Sequence, residues 1–199
     1  MWAVVGLGNP GSEYAGSRHN VGFAVVEELA RRWRLSLGRP KRAIRLAEGV
    51  VAGEHVALIE PQMYMNVSGP ALIRSGQAIE IERLIVVHDD LDLEFGEIRV
   101  KRGGGTAGHH GLESIVECYG PEFIRVRLGI GRPRPGTAGV DYVLSKFEEQ
   151  EHERLAAAIG RAVDAVECVI IEGERTAMNT FNVRPRRRPP VAAPPIGRN

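Results

Sequence analysis

Short apolar runs, each about as long as a strand, alternate along this chain with amphipathic segments about as long as a helix. Trp2–Leu7 and Leu84–Val87 are uncharged, as expected of strands that are buried on both faces of a sheet. Between them, apolar residues recur at three- and four-residue steps from Phe23 to Trp33, a spacing typical of a helix with one buried face. Strands interleaved with helices indicate an α/β fold.

The remaining segments fit the same plan. A hairpin is predicted around Ala52-Gly53-Glu54, and further strands are predicted at Ile98–Lys101 and Arg125–Ile130. The other predicted helices are Val67–Gly76, Gly111–Tyr119, Glu148–Ile171 and Thr176–Phe181. Because one pair of strands is antiparallel, we expect a twisted mixed β-sheet between two helical layers, a three-layer αβα sandwich. A chain of 199 residues suits a single domain, which we place at residues 1–183.

The last 16 residues differ in composition from the rest of the chain. Residues 184–199 contain five Arg, five Pro and no acid, although the whole chain has a net charge of only +1. This composition lacks apolar periodicity, so we expect an Arg/Pro-rich flexible tail outside the fold. Such a tail is either a solubilising end or an arm attracted to polyanions such as RNA, and the sequence leaves both readings open.

Several classes of protein do not fit this sequence. No apolar run reaches the roughly 18 residues that a membrane span needs, and the first residues lack the basic region of a secretion signal. Two cysteines, Cys118 and Cys168, make neither a disulfide framework nor a metal-binding spacing. We therefore expect a cytoplasmic protein without membrane contact.

The first loop, Gly6-Leu7-Gly8-Asn9-Pro10-Gly11, matches the G-x-G-x-x-G pattern of dinucleotide-binding proteins. In a true fingerprint the helix begins within the glycines, and an acid follows about 20 residues later. Here eight residues separate Gly11 from the predicted helix, and Arg31 and Arg32 stand where the acid is expected. A dinucleotide-binding enzyme is therefore only an alternative, and we expect no nucleotide cofactor.

The same loop places His19 beside a cluster of acids, if the first and the central strand run parallel. His19 directly precedes Asn20, the predicted N-cap of the following helix, and Asp89, Asp90 and Asp92 follow the central strand. One carboxylate could hold a ring nitrogen of His19 and leave the other nitrogen to act as a general base. Three acids could also bind a metal, but from a strand end they would point in different directions, so we expect no metal site.

Two further segments carry polar or glycine-rich sequence. Tyr64-Met65-Asn66-Val67-Ser68-Gly69 places Asn66 at the start of a helix, either as a plain cap or as a ligand-binding amide. The stretch from Lys101 to Gly111 is rich in glycine, and it has bases at its start and His109-His110 near its end. Since no Walker lysine follows, this stretch is either a mobile surface loop or a phosphate contact.

Together these motifs closely resemble bacterial peptidyl-tRNA hydrolases, over residues 2–181. The resemblance is carried by the first loop with Tyr14 and Arg18-His19-Asn20, by Tyr64–Gly69, by His88-Asp89-Asp90-Leu91-Asp92, and by the segment from Gly103 to Leu112. It implies a monomeric esterase without a metal or other cofactor, which cleaves peptidyl-tRNA and recycles tRNA after aborted translation.

The resemblance also implies a role for individual residues. His19 would be the catalytic base and Asp89 its orienting partner. Substrate would be bound by Asn9, Tyr14, Met65, Asn66 and His110, and tRNA phosphates by Arg99, Lys101 and Arg127.

One position departs from the family pattern, because His110 stands where these enzymes usually have Asn. An imidazole offers fewer donors than an amide and has more bulk, so we expect lower activity or a shifted pH dependence relative to an Asn variant. A non-catalytic RNA-binding homologue, which keeps the fold but not the chemistry, is the second alternative.

Overall fold

The computed structural model describes residues 1–76 and 80–183 and contains a six-stranded sheet with the strand order β2-β3-β1-β4-β6-β5. The strands are β1 Trp2–Gly6, β2 Ile44–Val51, β3 Glu54–Pro61, β4 Arg83–Asp90, β5 Ile98–Arg102 and β6 Ile124–Gly129. The four inner strands are parallel to one another, while β2 and β5 run antiparallel at the two edges. The mixed sheet and the central place of Leu84–Val87 are thereby confirmed.

Helices cover both faces of this sheet. They are α1 Val21–Trp33, α2 Ser68–Gly76, α3 His110–Tyr119, α4 Gly139–Leu144, α5 His152–Glu172 and α6 Glu174–Phe181. Side chains from α1, α5 and α6 pack on one face around Val4, and side chains from α2 and α3 pack on the other around Val5. Because successive residues of β1 point to opposite faces, this uncharged strand is buried on both sides. The three-layer αβα architecture is confirmed.

The short helix α4 was not predicted. It has six residues and none of them is buried, so it lacks the periodic apolar face by which a helix is recognised in sequence.

The glycines of the first loop serve close packing between helix and sheet. A Cβ on Gly6 would lie 2.2 Å from the carbonyl oxygen of Gly22, and a Cβ on Gly22 would lie 2.5 Å from that of Val87. Helix α1 therefore rests directly on the backbone of β1 and β4. It begins at Val21, well after the glycines, which does not match a dinucleotide fingerprint.

Asn20 precedes α1 as predicted, but the prediction that its side chain caps the helix is wrong. Its amide instead bonds both backbone groups of Asn9, accepting from N–H at 2.9 Å and donating to C=O at 2.9 Å. An Asn amide can satisfy a donor and an acceptor at once, and here it joins the start of α1 to the loop that follows β1.

The described chain ends at Val183, beside the edge strand β5. The side-chain amide of Asn182 donates to the carbonyl of Val100 at 2.9 Å and accepts from its N–H at 2.8 Å, so it pairs backbone groups that an edge strand leaves open. The predicted tail, residues 184–199, lies outside the described residues. Within them, no helix is long and apolar enough to cross a membrane.

Candidate active site

A cleft of about 660 Å³ lies beside the carboxyl end of β4, between the glycine-rich loop and α4. Ligands bind in this position in open α/β sheets, outside the carboxyl ends of the strands. One part of the cleft wall contains His19, Asp89 and His109, and another contains Lys101 and Arg127. Leu91, Val140 and Val143 add apolar surface.

His19 and Asp89 are in direct contact in this cleft. Nδ1 of His19 lies 2.8 Å from Oδ1 of Asp89, and the aspartate is only 3% exposed. The pairing arises because β1 and β4 are adjacent and parallel, so the loop after β1 and the end of β4 meet at the same edge of the sheet. The structure thus brings together the two residues that the sequence pointed to as base and partner.

A second histidine, His109, contacts the same carboxylate oxygen. Its Nε2 lies 3.0 Å from Oδ1 of Asp89, while its Nδ1 accepts hydrogen bonds from the backbone N–H groups of Gly111 and Leu112 at 3.2 and 3.4 Å. His109 is therefore the N-cap of α3. Since Nδ1 accepts, the ring proton of the neutral imidazole is on Nε2, which donates to Asp89.

His109 is the residue that the sequence analysis missed. Histidine is not among the preferred N-cap residues, and His110 drew attention instead because it departs from the family pattern. The sequence offers one positional signal, because His109 lies two residues before the predicted helix Gly111–Tyr119.

These contacts determine the charge of Asp89 and the orientation of His19. Burial alone would raise the pKa of the Asp89 carboxyl, but interactions with His109 and hydrogen bonds from His109 and His19 hold that pKa well below its usual range. Asp89 is therefore an ionised acceptor, and Nδ1 of His19 must donate to it. The neutral imidazole of His19 then carries its free lone pair on Nε2, as a base requires.

His88 completes a ring of three histidines around Asp89. Its Nδ1 donates to the backbone carbonyl of Asp89 at 2.7 Å, and its ring centre lies 5.1 Å from that of His109. Burial, as the largest cause, lowers the pKa of His88 to about 3. His88 is thus a neutral, buried group beside Asp89 in the same cleft.

The triad His19, Asp89 and His109 could in principle hold a metal ion, because one ligand atom from each lies within 4.8 Å of the others. The donors fit a metal poorly. If Nε2 of His109 bound an ion, the proton of the neutral ring would move to Nδ1, where it would face the N–H groups of Gly111 and Leu112. Metal binding would therefore disrupt the cap of α3.

The other two acids of the cluster point elsewhere, as expected. Asp90 accepts from Nε of Arg127 at 2.7 Å, and Asp92 accepts from Arg132 at 2.7 Å. Neither contributes to the group around His19.

The predicted substrate-binding residues Asn9, Tyr14, Met65 and Asn66 do not line the cleft of the described chain. Oδ1 of Asn9 accepts from the backbone N–H of Met65 at 2.8 Å, so the loop after β1 is held against the 3₁₀ turn Met65–Val67. The side chain of Met65 packs in the core on the α2 and α3 side. Asn66 is exposed next to it, inside the turn and not at a helix cap.

The remaining predicted residues fall into separate places. Tyr14 meets Tyr64 edge to face at 6.4 Å between ring centres. Lys101 and Arg127 line the cleft, whereas Arg99 does not, and its guanidinium bonds Glu97 and the backbone carbonyl of Asn182. His110 is at the cleft rim with its side chain 68% exposed, and its Nδ1 lies 3.1 Å from Glu113.

A family model and the sequence relatives point to the same family. The family model described as peptidyl-tRNA hydrolase matches residues 3–189. A peptidyl-tRNA hydrolase of Roseiflexus sp. (strain RS-1) is 45% identical over 189 residues, covering 93% of this chain and 87% of that protein. That of Bacillus pumilus is 43% identical, covering 92% of this chain and 98% of that protein.

A solved structure gives the same answer. The crystal structure of peptidyl-tRNA hydrolase from Acinetobacter baumannii superposes with a TM-score of 0.84 at 39% identity, covering 92% of this chain and 94% of that chain. This chain therefore belongs to the peptidyl-tRNA hydrolase family.

Proposed function

We propose that this protein hydrolyses the ester bond that joins a peptide to the 3′-terminal ribose of tRNA, with His19 as the general base. The observation that carries the proposal is the contact between Nδ1 of His19 and Oδ1 of Asp89 at 2.8 Å inside the cleft. That contact leaves Nε2 of His19 to accept a proton from water.

In the proposed reaction, Nε2 of His19 takes one proton as the water oxygen attacks the ester carbonyl carbon. The bond from that carbon to the ribose oxygen then breaks, and the ribose oxygen takes the proton back from His19. The products are a peptide with a free carboxyl group and a tRNA with a free 3′-terminal hydroxyl. One water is consumed and no covalent intermediate with the protein is needed.

Asp89 stabilises the positive charge that His19 gains during this step. Its carboxylate is ionised and buried, so the attraction acts in a medium of low dielectric constant. General-base catalysis of this kind contributes roughly 10²–10⁴-fold to the rate. An ester reacts more readily than an amide, so this contribution together with polarisation of the carbonyl can suffice.

Recognition is proposed to rest on the two ends of the substrate. Lys101 and Arg127, both in the cleft wall, and Arg99 on the neighbouring surface would bind tRNA phosphates. His110, at the rim of the cleft, would hold peptide backbone or the attacking water. Asn9 and Asn66, which lie outside the cleft, would hold peptide backbone, and Tyr14 and Met65 would form the boundary of the peptide site. We further propose that the protein acts as a monomer in the cytoplasm.

The test is a hydrolysis assay on peptidyl-tRNA with His19→Ala, using His55→Ala in the exposed hairpin as the matched control. We expect His19→Ala to lose at least 100-fold in kcat and the control to keep the wild-type rate. Equal rates for His19→Ala and the wild type would contradict the proposal. Tight tRNA binding without hydrolysis by the wild type would favour the non-catalytic homologue, and saturable NAD binding would favour the dinucleotide alternative.

A further inference from the structure

Arg125 is a buried cation that holds the glycine-rich loop. It lies in β6 and is only 2% exposed. Its Nη2 donates to the carbonyl of Gly104 at 2.7 Å and its Nη1 to the carbonyl of Gly105 at 2.7 Å. The guanidinium also stacks over the ring of Phe123 at 4.8 Å.

These contacts are unusual for a buried charge, because the guanidinium donates to these two carbonyl oxygens and not to a carboxylate. Burial, followed by repulsion from Arg127, lowers the pKa of the Arg125 guanidinium. Within residues 1–76 and 80–183, its Nε has no hydrogen-bond partner. Burying a guanidinium in this way is unfavourable, which indicates a specific role for Arg125 in holding the two carbonyls.

Most of the loop between these carbonyls and His109 is exposed. Gly104, Gly105, Ala107 and Gly108 are exposed, and a Cβ on Gly105 or Gly108 would meet no atom within 4 Å. Gly104 has φ 97° and Gly108 has φ 76°, which glycine adopts without strain. A backbone of this kind is free to move unless something outside the loop fixes it.

The loop leads directly to His109. Three residues separate Gly105 from His109. The N–H of His109 bonds the carbonyl of Thr106 at 3.0 Å in the turn between them. His109 then donates to Asp89, which holds His19. Fixing Gly104 and Gly105 therefore fixes the segment that carries His109 to the carboxylate.

We propose that Arg125 is a positioning residue for hydrolysis: by clamping the glycine-rich loop, it holds His109 against Asp89. This inference rests on the proposed function, because it concerns the geometry of the same site. It differs from two simpler roles, namely direct binding of a tRNA phosphate and general stabilisation of the fold.

The first test uses Arg125→Lys, which keeps the charge but cannot donate to two carbonyls in a fixed fork. Arg83→Lys, at the end of β4 away from the cleft, is the matched control. Arg125→Gln is a second variant if Arg125→Lys does not fold. We expect kcat to fall about tenfold on both peptidyl-tRNA and a small ester, with the control unchanged. A rise in KM confined to peptidyl-tRNA would show a phosphate contact and overturn the proposal.

Amide hydrogen exchange provides a readout that does not depend on activity. In Arg125→Lys, exchange at residues 105–109 should accelerate at least tenfold, while exchange in β1 and β4 stays within twofold of wild type. Unchanged loop exchange, or the same acceleration in the sheet, would overturn the proposal. If His19→Ala were fully active, only the proposed function would fail, since this exchange result would still stand.

A double-mutant cycle identifies the route through His109. If Arg125 acts through His109, Arg125→Lys should lower kcat by less than twofold in a His109→Asn background, instead of tenfold. Reductions that multiply in the double variant would show that the two residues act independently.

Discussion

The two hydrogen-bonding roles of His109 can be separated by two substitutions. His109→Ala removes both the donor to Asp89 and the N-cap of α3. His109→Asn also removes the imidazole that reaches Asp89, but Asn is among the best N-cap residues and can bond the N–H groups of Gly111 and Leu112. The difference between the two variants is therefore the contribution of the cap.

The magnitudes follow from the geometry. A hydrogen bond to an ionised group contributes about 1.5–3 kcal/mol, and both His109 and Asp89 are nearly buried, so little of this is lost to solvent. Loss of an N-cap costs about 0.5–2 kcal/mol. We expect the free energy of unfolding at pH 7 to fall by about 1.5–3 kcal/mol in His109→Asn and by a further 0.5–2 kcal/mol, roughly, in His109→Ala.

The pH dependence has a definite sign. Because the pKa of folded Asp89 is depressed, its stabilising contribution is present above the unfolded pKa of about 3.9 and is lost as pH falls through the folded pKa. Without His109 the folded pKa rises, so the contribution shrinks. The stability deficit of His109→Asn should therefore persist from pH 7 down to the folded pKa of Asp89 in the variant, and it should shrink only as pH falls below that value.

Urea unfolding followed by circular dichroism measures these differences, provided that the m-values of the three proteins agree. A His109→Asn variant as stable as wild type at pH 7 would refute the role given to the bond with Asp89. Equal losses in the two variants would refute the role given to the cap.

Three further predictions concern other parts of the molecule. Burial raises the pKa of Glu60 to about 7. The stability that its neutral form provides is therefore present at low pH and falls by about 3 kcal/mol as pH rises from 4.5 through 7. Glu60→Gln should lack this fall when urea unfolding is compared at pH 5 and pH 8, and an unchanged fall would contradict the role given to Glu60. Changing Arg99 and Lys101 together to Ala should raise KM for peptidyl-tRNA and leave the kinetics on a small ester unchanged. Most of the effect should come from Lys101, because Arg99 is bonded to neighbouring groups. Equal losses on both substrates would contradict a role confined to tRNA binding. His110→Asn should raise activity or shift the pH–rate profile, and identical profiles would show that the exchange is neutral.

Much of the fold follows from local patterns in the sequence. The uncharged runs at Trp2–Leu7 and Leu84–Val87 predict inner strands, and their parallel pairing is what places His19 beside Asp89. This contact was predictable because it requires only that the ends of β1 and β4 be placed side by side, with His19 in the segment that follows β1 and Asp89 at the end of β4.

Other contacts depend on the tertiary structure and have no local signal. Asn20 looks like a cap in sequence, yet its amide bonds the backbone of Asn9, which is 11 residues earlier. The carbonyls that Arg125 holds are 20 and 21 residues away from it. Such pairs become visible only when the register of β6 against the glycine-rich loop is known.

The charge of Asp89 gives a reason for the second histidine. A carboxylate that is 3% exposed loses most of its hydration, and one neutral donor would compensate only part of that loss. If His19 were the sole donor, its bond to Asp89 would have to stabilise the buried charge alone, although His19 itself changes charge in every catalytic cycle. His109 supplies a donor whose tautomer is fixed by the cap of α3 and does not change during the reaction. Asp89 can therefore stay ionised while His19 gains and loses a proton, so the rigidity of α3 contributes to the chemistry at His19.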